Sequence, residues 1–147
     1  MNTQIPLNRI YQKAIEQLSI THDRITSPEM GLSVVQPLIA DTDREHFAVI
    51  SLGTKNQILN IEIAHIGTLN NCAVHPREIF KNAILSNAAA IFIAHNHPSQ
   101  NIQPSNEDRF FTKRLVDSGE ILGIEVLDHI IINNNNEFYS MKAFGDI

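Results

Sequence analysis

Ala88-Ala89-Ala90-Ile91-Phe92-Ile93-Ala94-His95-Asn96-His97-Pro98 is an uncharged apolar run that ends in two histidines. It is far too short to cross a bilayer. It reads as a buried strand over Ile91 to His95, placed centrally in a sheet. Residues i and i+2 of a strand point to one side, so His95 and His97 aim at a common point and Asn96 faces away. Pro98 cannot donate to a ladder and ends the strand. Active-site groups of such sheets often sit at strand ends. A lone histidine there would be a polar residue where the strand meets solvent; two at this spacing favour metal ligation.

Ser105 and Asp108 follow, completing the spacing His-x-His-(x7)-Ser-x-x-Asp. Pro104-Ser105 opens a helix expected to end near Gly119. On that helix positions 108, 111, 112 and 115 share a face. Phe111 and Leu115 make it the buried face, so Asp108 extends an apolar stripe toward the histidines. A buried carboxylate needs a cation or hydrogen-bond donors. Ser105 and Asp108 also fit a capping box, although Glu or Gln is more usual at the second position. The two roles are compatible, because a cap would hold the ligand in place. Two imidazoles and a carboxylate make a three-ligand zinc site with a fourth position open to water.

Hydrolysis at such a site needs a base. The segment Asp43-Arg44-Glu45-His46-Phe47 stands at the mouth of a second buried strand, His46 to Leu52. Asp41, Asp43 and Glu45 are all available there, with Glu45 the candidate.

The remaining chain reads as α/β. Asn8 to Leu18 has helical apolar spacing at Ile10, Ala14, Ile15 and Leu18. Ser27-Pro28-Glu29 opens a second helix to about Ala40, with Pro37 inside it. Gly53 to Asn56 is a turn. Leu59, Ile61 and Ile63 alternate with polar or small residues in a half-exposed strand, antiparallel to His46–Leu52. Pro76 begins a helix with the stripe Ile79, Phe80, Ala83 and Ile84. Ile124 to Ile132 is a strand, Asn133 to Asn136 a turn, and Phe138-Tyr139 a last short strand. The polar loop Ser99 to Gln103 fits a mobile rim beside the histidines.

The chain has 147 residues, 43% hydrophobic and 18% charged, which fits one core. A net charge of -5 disfavours nucleic acid as the main partner. Lys113-Arg114 is read as a solvated helix face. No transmembrane run is present, and the N-terminus lacks the basic and apolar regions of a signal peptide. Cys72 is the single cysteine, so no internal disulfide can form. A cytoplasmic location is expected. Nothing orients Cys72 and His75 as a nucleophile pair. His65 reads as a satisfied core or edge histidine, His75 as a helix N-cap or groove residue. His129, beside Asp128, is read as structural, with contact to the site as the alternative.

The pattern Glu…His-x-His-(x7)-Ser-x-x-Asp resembles the JAMM motif of MPN-fold metalloproteases. More closely, the chain resembles the RadC family of bacterial JAB domains. The matching stretches are Asp43 to Phe47, Ile66 to Asn70, Val74 to Phe80, Asn87 to Ala90, Ala94 to Ser99 and Val126 to Ile132. The resemblance runs from about Ile25 to Tyr139. It divides the chain into an N-terminal helical extension (1–24) and a RadC-like JAB/MPN domain (25–147). It implies an MPN (JAB1, cytidine-deaminase-like) fold, a curved mixed β-sheet flanked by helices. It implies zinc on His95, His97 and Asp108, Glu45 as general acid/base through the metal-bound water, and Ser105 as hydroxyl donor to the oxyanion. The reaction implied is hydrolysis of a peptide or isopeptide bond in a peptide or protein substrate.

Two departures from the pattern stand out. No Gly-rich hairpin precedes Glu45, so the helix-hairpin-helix module usual in RadC-like proteins is expected to be absent, as in the short forms of mobile elements. Eukaryotic JAMM proteases usually carry Ser or Thr between the histidines. Here it is Asn96, for which little chemical effect is expected. Two other functions compete: a DNA repair-associated accessory protein, and a non-catalytic MPN scaffold that binds partners. The missing DNA-binding module and the acidic balance weaken the first; five intact motif positions weaken the second.

Overall fold

The structure is a computed structural model that describes residues 2–69 and 74–147. Cys72 lies outside the described residues. The elements run α1 (Pro28–Ile39), β1 (His46–Leu52), β2 (Ile58–Ile66), α2 (Pro76–Leu85), β3 (Ala90–Asn96), α3 (Asn106–Leu122), β4 (Glu125–Ile132) and β5 (Phe138–Ser140). The strands form one mixed sheet in the order β2-β1-β3-β4-β5. Neighbours pair antiparallel except β3 and β4, which are parallel. A parallel pair needs a long crossover, and α3 supplies it. This α/β architecture, a mixed sheet flanked by helices, is the one the JAB/MPN fold requires.

Helices cover both faces, so β3 is buried at every position. Along β1 and β3 the side chains alternate between two cores. Phe47, Val49, Ile91 and Ile93 join Ile79, Phe80 and Ala83 of α2 and Phe111 and Leu115 of α3. Ala48, Ile50, Leu52, Phe92 and Ala94 join Val34, Val35 and Ile39 of α1. Two-sided burial explains why β3 reads as a continuous apolar run instead of an alternation. It also settles the orientation of the strand's end. His95 continues the Ile91–Ile93 side toward α3, and Asn96 continues the Phe92–Ala94 side toward α1.

Several expectations change. The helix expected over Asn8–Leu18 does not form; residues 2–20 have no regular secondary structure. Ile10, Tyr11 and Ile15 remain 75%, 77% and 93% exposed. With no face to bury, a helix of that length is marginal in water. In α2 the buried residues are Pro76, Ile79, Phe80 and Ala83, while Ile84 points outward. The fourth helix of the sequence reading, α3, passes Gly119 and ends at Leu122, where Gly123 takes a left-handed conformation (φ 71°) that glycine adopts at little cost. Gly119 is needed for a different reason: a Cβ there would sit 2.3 Å from the Ile124 carbonyl oxygen. Pro37 stays inside α1, which runs to Ile39.

Candidate metal centre

Three side chains converge where β3 ends beside the start of α3. Ser105 is the N-cap of α3, and its hydroxyl oxygen accepts the Asp108 N–H at 3.0 Å. The Asp108 carboxylate reaches back to accept the Ser105 N–H through Oδ2 at 2.8 Å. This reciprocal box fixes the carboxylate's direction. Asp108, Phe111, Thr112 and Leu115 form the buried stripe of α3, as their spacing predicts.

Within this corner His95 Nε2 lies 2.9 Å from His97 Nε2. Asp108 Oδ1 lies 3.4 Å from His95 Nε2, and Asp108 Oδ2 lies 3.3 Å from His97 Nε2. Tetrahedral zinc with bonds of about 2.0–2.1 Å places its ligand atoms about 3.3 Å apart. These three residues are the group able to hold a metal ion among the described residues.

The hydrogen bonds behind the histidines decide which nitrogens face the corner. His97 Nδ1 lies 2.6 Å from the Asn101 carbonyl, which can only accept, so Nδ1 carries the proton. His95 is fixed by a longer chain. Thr112 donates its hydroxyl to the Asp108 carbonyl at 2.7 Å. Its oxygen therefore accepts from His129 Nδ1 at 2.6 Å. His129 Nε2 is then left to accept from His95 Nδ1 at 2.7 Å. Burial holds His129 well below the ordinary histidine range, with the neighbouring His95 adding to the effect, so its ring is neutral. When His95 and His97 are also neutral, two Nε2 lone pairs face each other at 2.9 Å. A shared cation resolves that opposition, and the donor set therefore fits a metal ion. Phe47 stacks on His95 and meets His129 edge-on, closing the corner on the core side.

Electrostatics agree with a cation site. Burial would raise Asp108, but in the metal-free protein, where a proton stands in for the cation, hydrogen bonds from His95 and His97, with the Ser105 backbone, outweigh it and hold the carboxyl well below the usual carboxylate range. Burial would lower His97. The Asp108 carboxylate, the Asn101 carbonyl and the more distant Glu45 charge together raise it instead.

Glu45 immediately precedes β1 and is half-buried, whereas Asp41 and Asp43 are exposed. Phe47 pairs with His95. The pairing ends there, two residues short of Glu45 on one side and of His97 on the other, and the Glu45 charge is among those that raise His97. Ser105 is exposed at the rim. Its oxygen accepts from Asp108 N–H, which leaves its proton free to donate outward.

Sequence reasoning held contact of His129 with the site only as the alternative to a structural role, and it missed the link through Thr112. Its signal was a hydroxyl, Thr112, one turn after Asp108 on the buried stripe. It also undervalued Asn96, which is buried against the segment that carries Glu45. The loop Ser99 to Gln103 is pinned, not loose. Besides the His97–Asn101 bond, Gln100 accepts Asn133 Nδ2 on its carbonyl and Asn134 N–H on Oε1. His75 caps α2, accepting from Arg77 N–H. His65 is not satisfied as expected: its Nε2 is buried with no partner among the described residues. Also among these residues, no helix is long and apolar enough to cross a membrane.

The family model for the RadC-like JAB domain matches residues 25–145. A UPF0758 protein of Desulforamulus reducens is 52% identical over 121 residues, covering 82% of this chain and 53% of that protein. A UPF0758 protein of Rubrobacter xylanophilus is 46% identical over 121 residues, covering 82% and 52%. One from Moorella thermoacetica is 55% identical over 100 residues, covering 68% and 43%. The chain thus spans about half the length of the curated relatives it matches.

Proposed function

The chain belongs to the RadC-like JAB domain family, and on that premise we propose that it is a zinc-dependent metallopeptidase that hydrolyses a peptide or isopeptide bond. The observation that carries this reading is the convergence of His95 Nε2, His97 Nε2 and an Asp108 oxygen at 2.9–3.4 Å, beside the strand entrance that bears Glu45. His95, His97 and Asp108 would hold the ion. When bound, zinc would supply Lewis acidity, polarising the scissile carbonyl and lowering the pKa of a coordinated water to about 7.

The chain's own residues divide the remaining work. Glu45 takes the proton of the attacking water and returns it to the leaving amine. Ser105 donates its hydroxyl to the carbonyl oxygen as negative charge develops. The hydrogen bonds of His129 and Asn101 hold the two histidine rings in one tautomer. The pinned loop Ser99 to Gln103 forms a fixed wall against which an extended peptide can lie.

The test is exposure of the zinc-reconstituted protein to a complex peptide mixture, with new termini read by mass spectrometry. New termini from the wild type, absent with a Glu45→Gln variant of equal zinc content, are expected. Cleavage that survives Glu45→Gln contradicts the assigned base and this mechanism.

A further inference from the structure

We infer that Asn96, the residue between the two histidines, is a positioning residue that sets the Glu45 carboxylate against the metal corner. The inference rests on the function proposed above. Asn96 is 1% exposed and faces away from the metal ligands, yet both polar atoms of its amide are engaged. Its Oδ1 accepts the His46 N–H at 2.6 Å. Its Nδ2 donates to the Arg44 carbonyl at 3.0 Å and to Thr42 Oγ1 at 2.9 Å. Arg44 and His46 flank Glu45, so one side chain grips the peptide groups on either side of it.

The orientation of the amide is forced. Turning it over would set an NH2 against the His46 N–H and an oxygen against the Arg44 carbonyl. Glu45's own carbonyl is held from the other side, where it accepts Gly67 N–H at 2.8 Å. The backbone at Glu45 is therefore tied to β3 through Asn96 and to the end of β2 through Gly67. The histidines and this grip come from three consecutive residues, the last two of β3 and the one that follows it, alternating in direction. Any shift of β3 carries the two histidine ligands and the base together.

A single hydroxyl, as in Ser, has one proton. It cannot donate to both Arg44 and Thr42 while accepting from His46. An aspartate would face the Arg44 carbonyl with no donor. Asparagine is the side chain of this size that meets all three partners.

The experiment uses the full chain loaded with Co2+ as a spectroscopic probe. The visible spectrum is followed against pH for wild type, Glu45→Gln, Asn96→Ala and the double variant. Co2+ affinity is measured by chelator competition. Glu45→Gln is expected to move the spectral midpoint by about one pH unit, since a nearby charge shifts ionisation by that order. Asn96→Ala is expected to move it the same way with Co2+ affinity unchanged within about twofold, and the double variant to show no further shift, because both changes remove one interaction. Asn96→Ser, which retains part of the grip, is expected to fall between wild type and Asn96→Ala. It serves as the test variant if the alanine protein does not fold.

A midpoint unchanged in the Asn96 variants overturns the inference, as does a shift that adds in full to that of Glu45→Gln. Either result leaves the metal centre standing. A wild type that binds no Co2+ overturns the proposed function and this inference with it.

Discussion

His95 Nδ1 and His129 Nε2 lie 2.7 Å apart inside the core, and the proton between them belongs to His95. A fully buried neutral histidine thus fixes the tautomer of a residue at the surface of the metal corner. The chain continues through Thr112 to the backbone carbonyl of Asp108, so one candidate ligand is oriented by the peptide of another.

Thr112→Val keeps the shape of the side chain and removes its hydroxyl. Loss of an outer hydrogen bond of this kind typically costs about 10–100-fold in metal affinity. A drop of that size is expected for zinc, measured by competition with a chromophoric chelator, with Thr112→Ser near wild type. Equal affinity in Thr112→Val would show that the hydroxyl chain does not orient His95.

His129 also predicts a pH dependence. Its folded-state pKa is depressed, chiefly by burial. The unfolded chain takes up a proton near the ordinary histidine value of about 6.5, and the folded ring does not. Its stabilising contribution is therefore present in full above about pH 6.5 and is lost as pH falls below it, by up to about 1.4 kcal/mol per pH unit. His97, with a raised pKa, acts in the opposite sense in metal-free protein. The comparison is therefore wild type against His129→Asn, by urea unfolding with chelator present between pH 7.5 and 5. A shallower loss in the variant is expected; parallel curves would contradict it.

Ser105 serves the cap and, in the proposed mechanism, the oxyanion. Removing an N-cap hydroxyl by alanine costs about 1 kcal/mol, whereas glycine costs a few tenths. Ser105→Ala should therefore unfold earlier than Ser105→Gly. Both should lose about 10²–10³-fold in kcat, the typical value of an oxyanion donor. Activity that follows stability across the two variants would reduce Ser105 to a cap.

Much of this fold and site was legible because it rests on short-range rules. Residues 88–98 specified a strand buried on both sides, and its period of two gave the common direction of His95 and His97. The spacing 108, 111, 112, 115 placed Asp108 on the buried stripe. What escaped depends on contacts between residues distant in sequence. The Asn8–Leu18 periodicity is real, but among the described residues none covers that stripe, and Ile10 and Ile15 stay exposed. Gly119 looked like a helix end, and only the return of the chain at Ile124 shows why a glycine is needed mid-helix. No local pattern shows that Glu45 is half-buried while Asp41 and Asp43 are exposed. Asn96 pointed away from the metal as expected; that it grips Arg44 and His46 follows from the pairing of β3 with β1.

The most direct measurement is the metal content of the purified, zinc-reconstituted protein by elemental mass spectrometry, alongside His97→Ala and Asp108→Ala. About one zinc per chain in the wild type, lost in both variants, is the result expected of a three-ligand site. A wild type without zinc, or zinc retained by both variants, would contradict a metal centre on His95, His97 and Asp108.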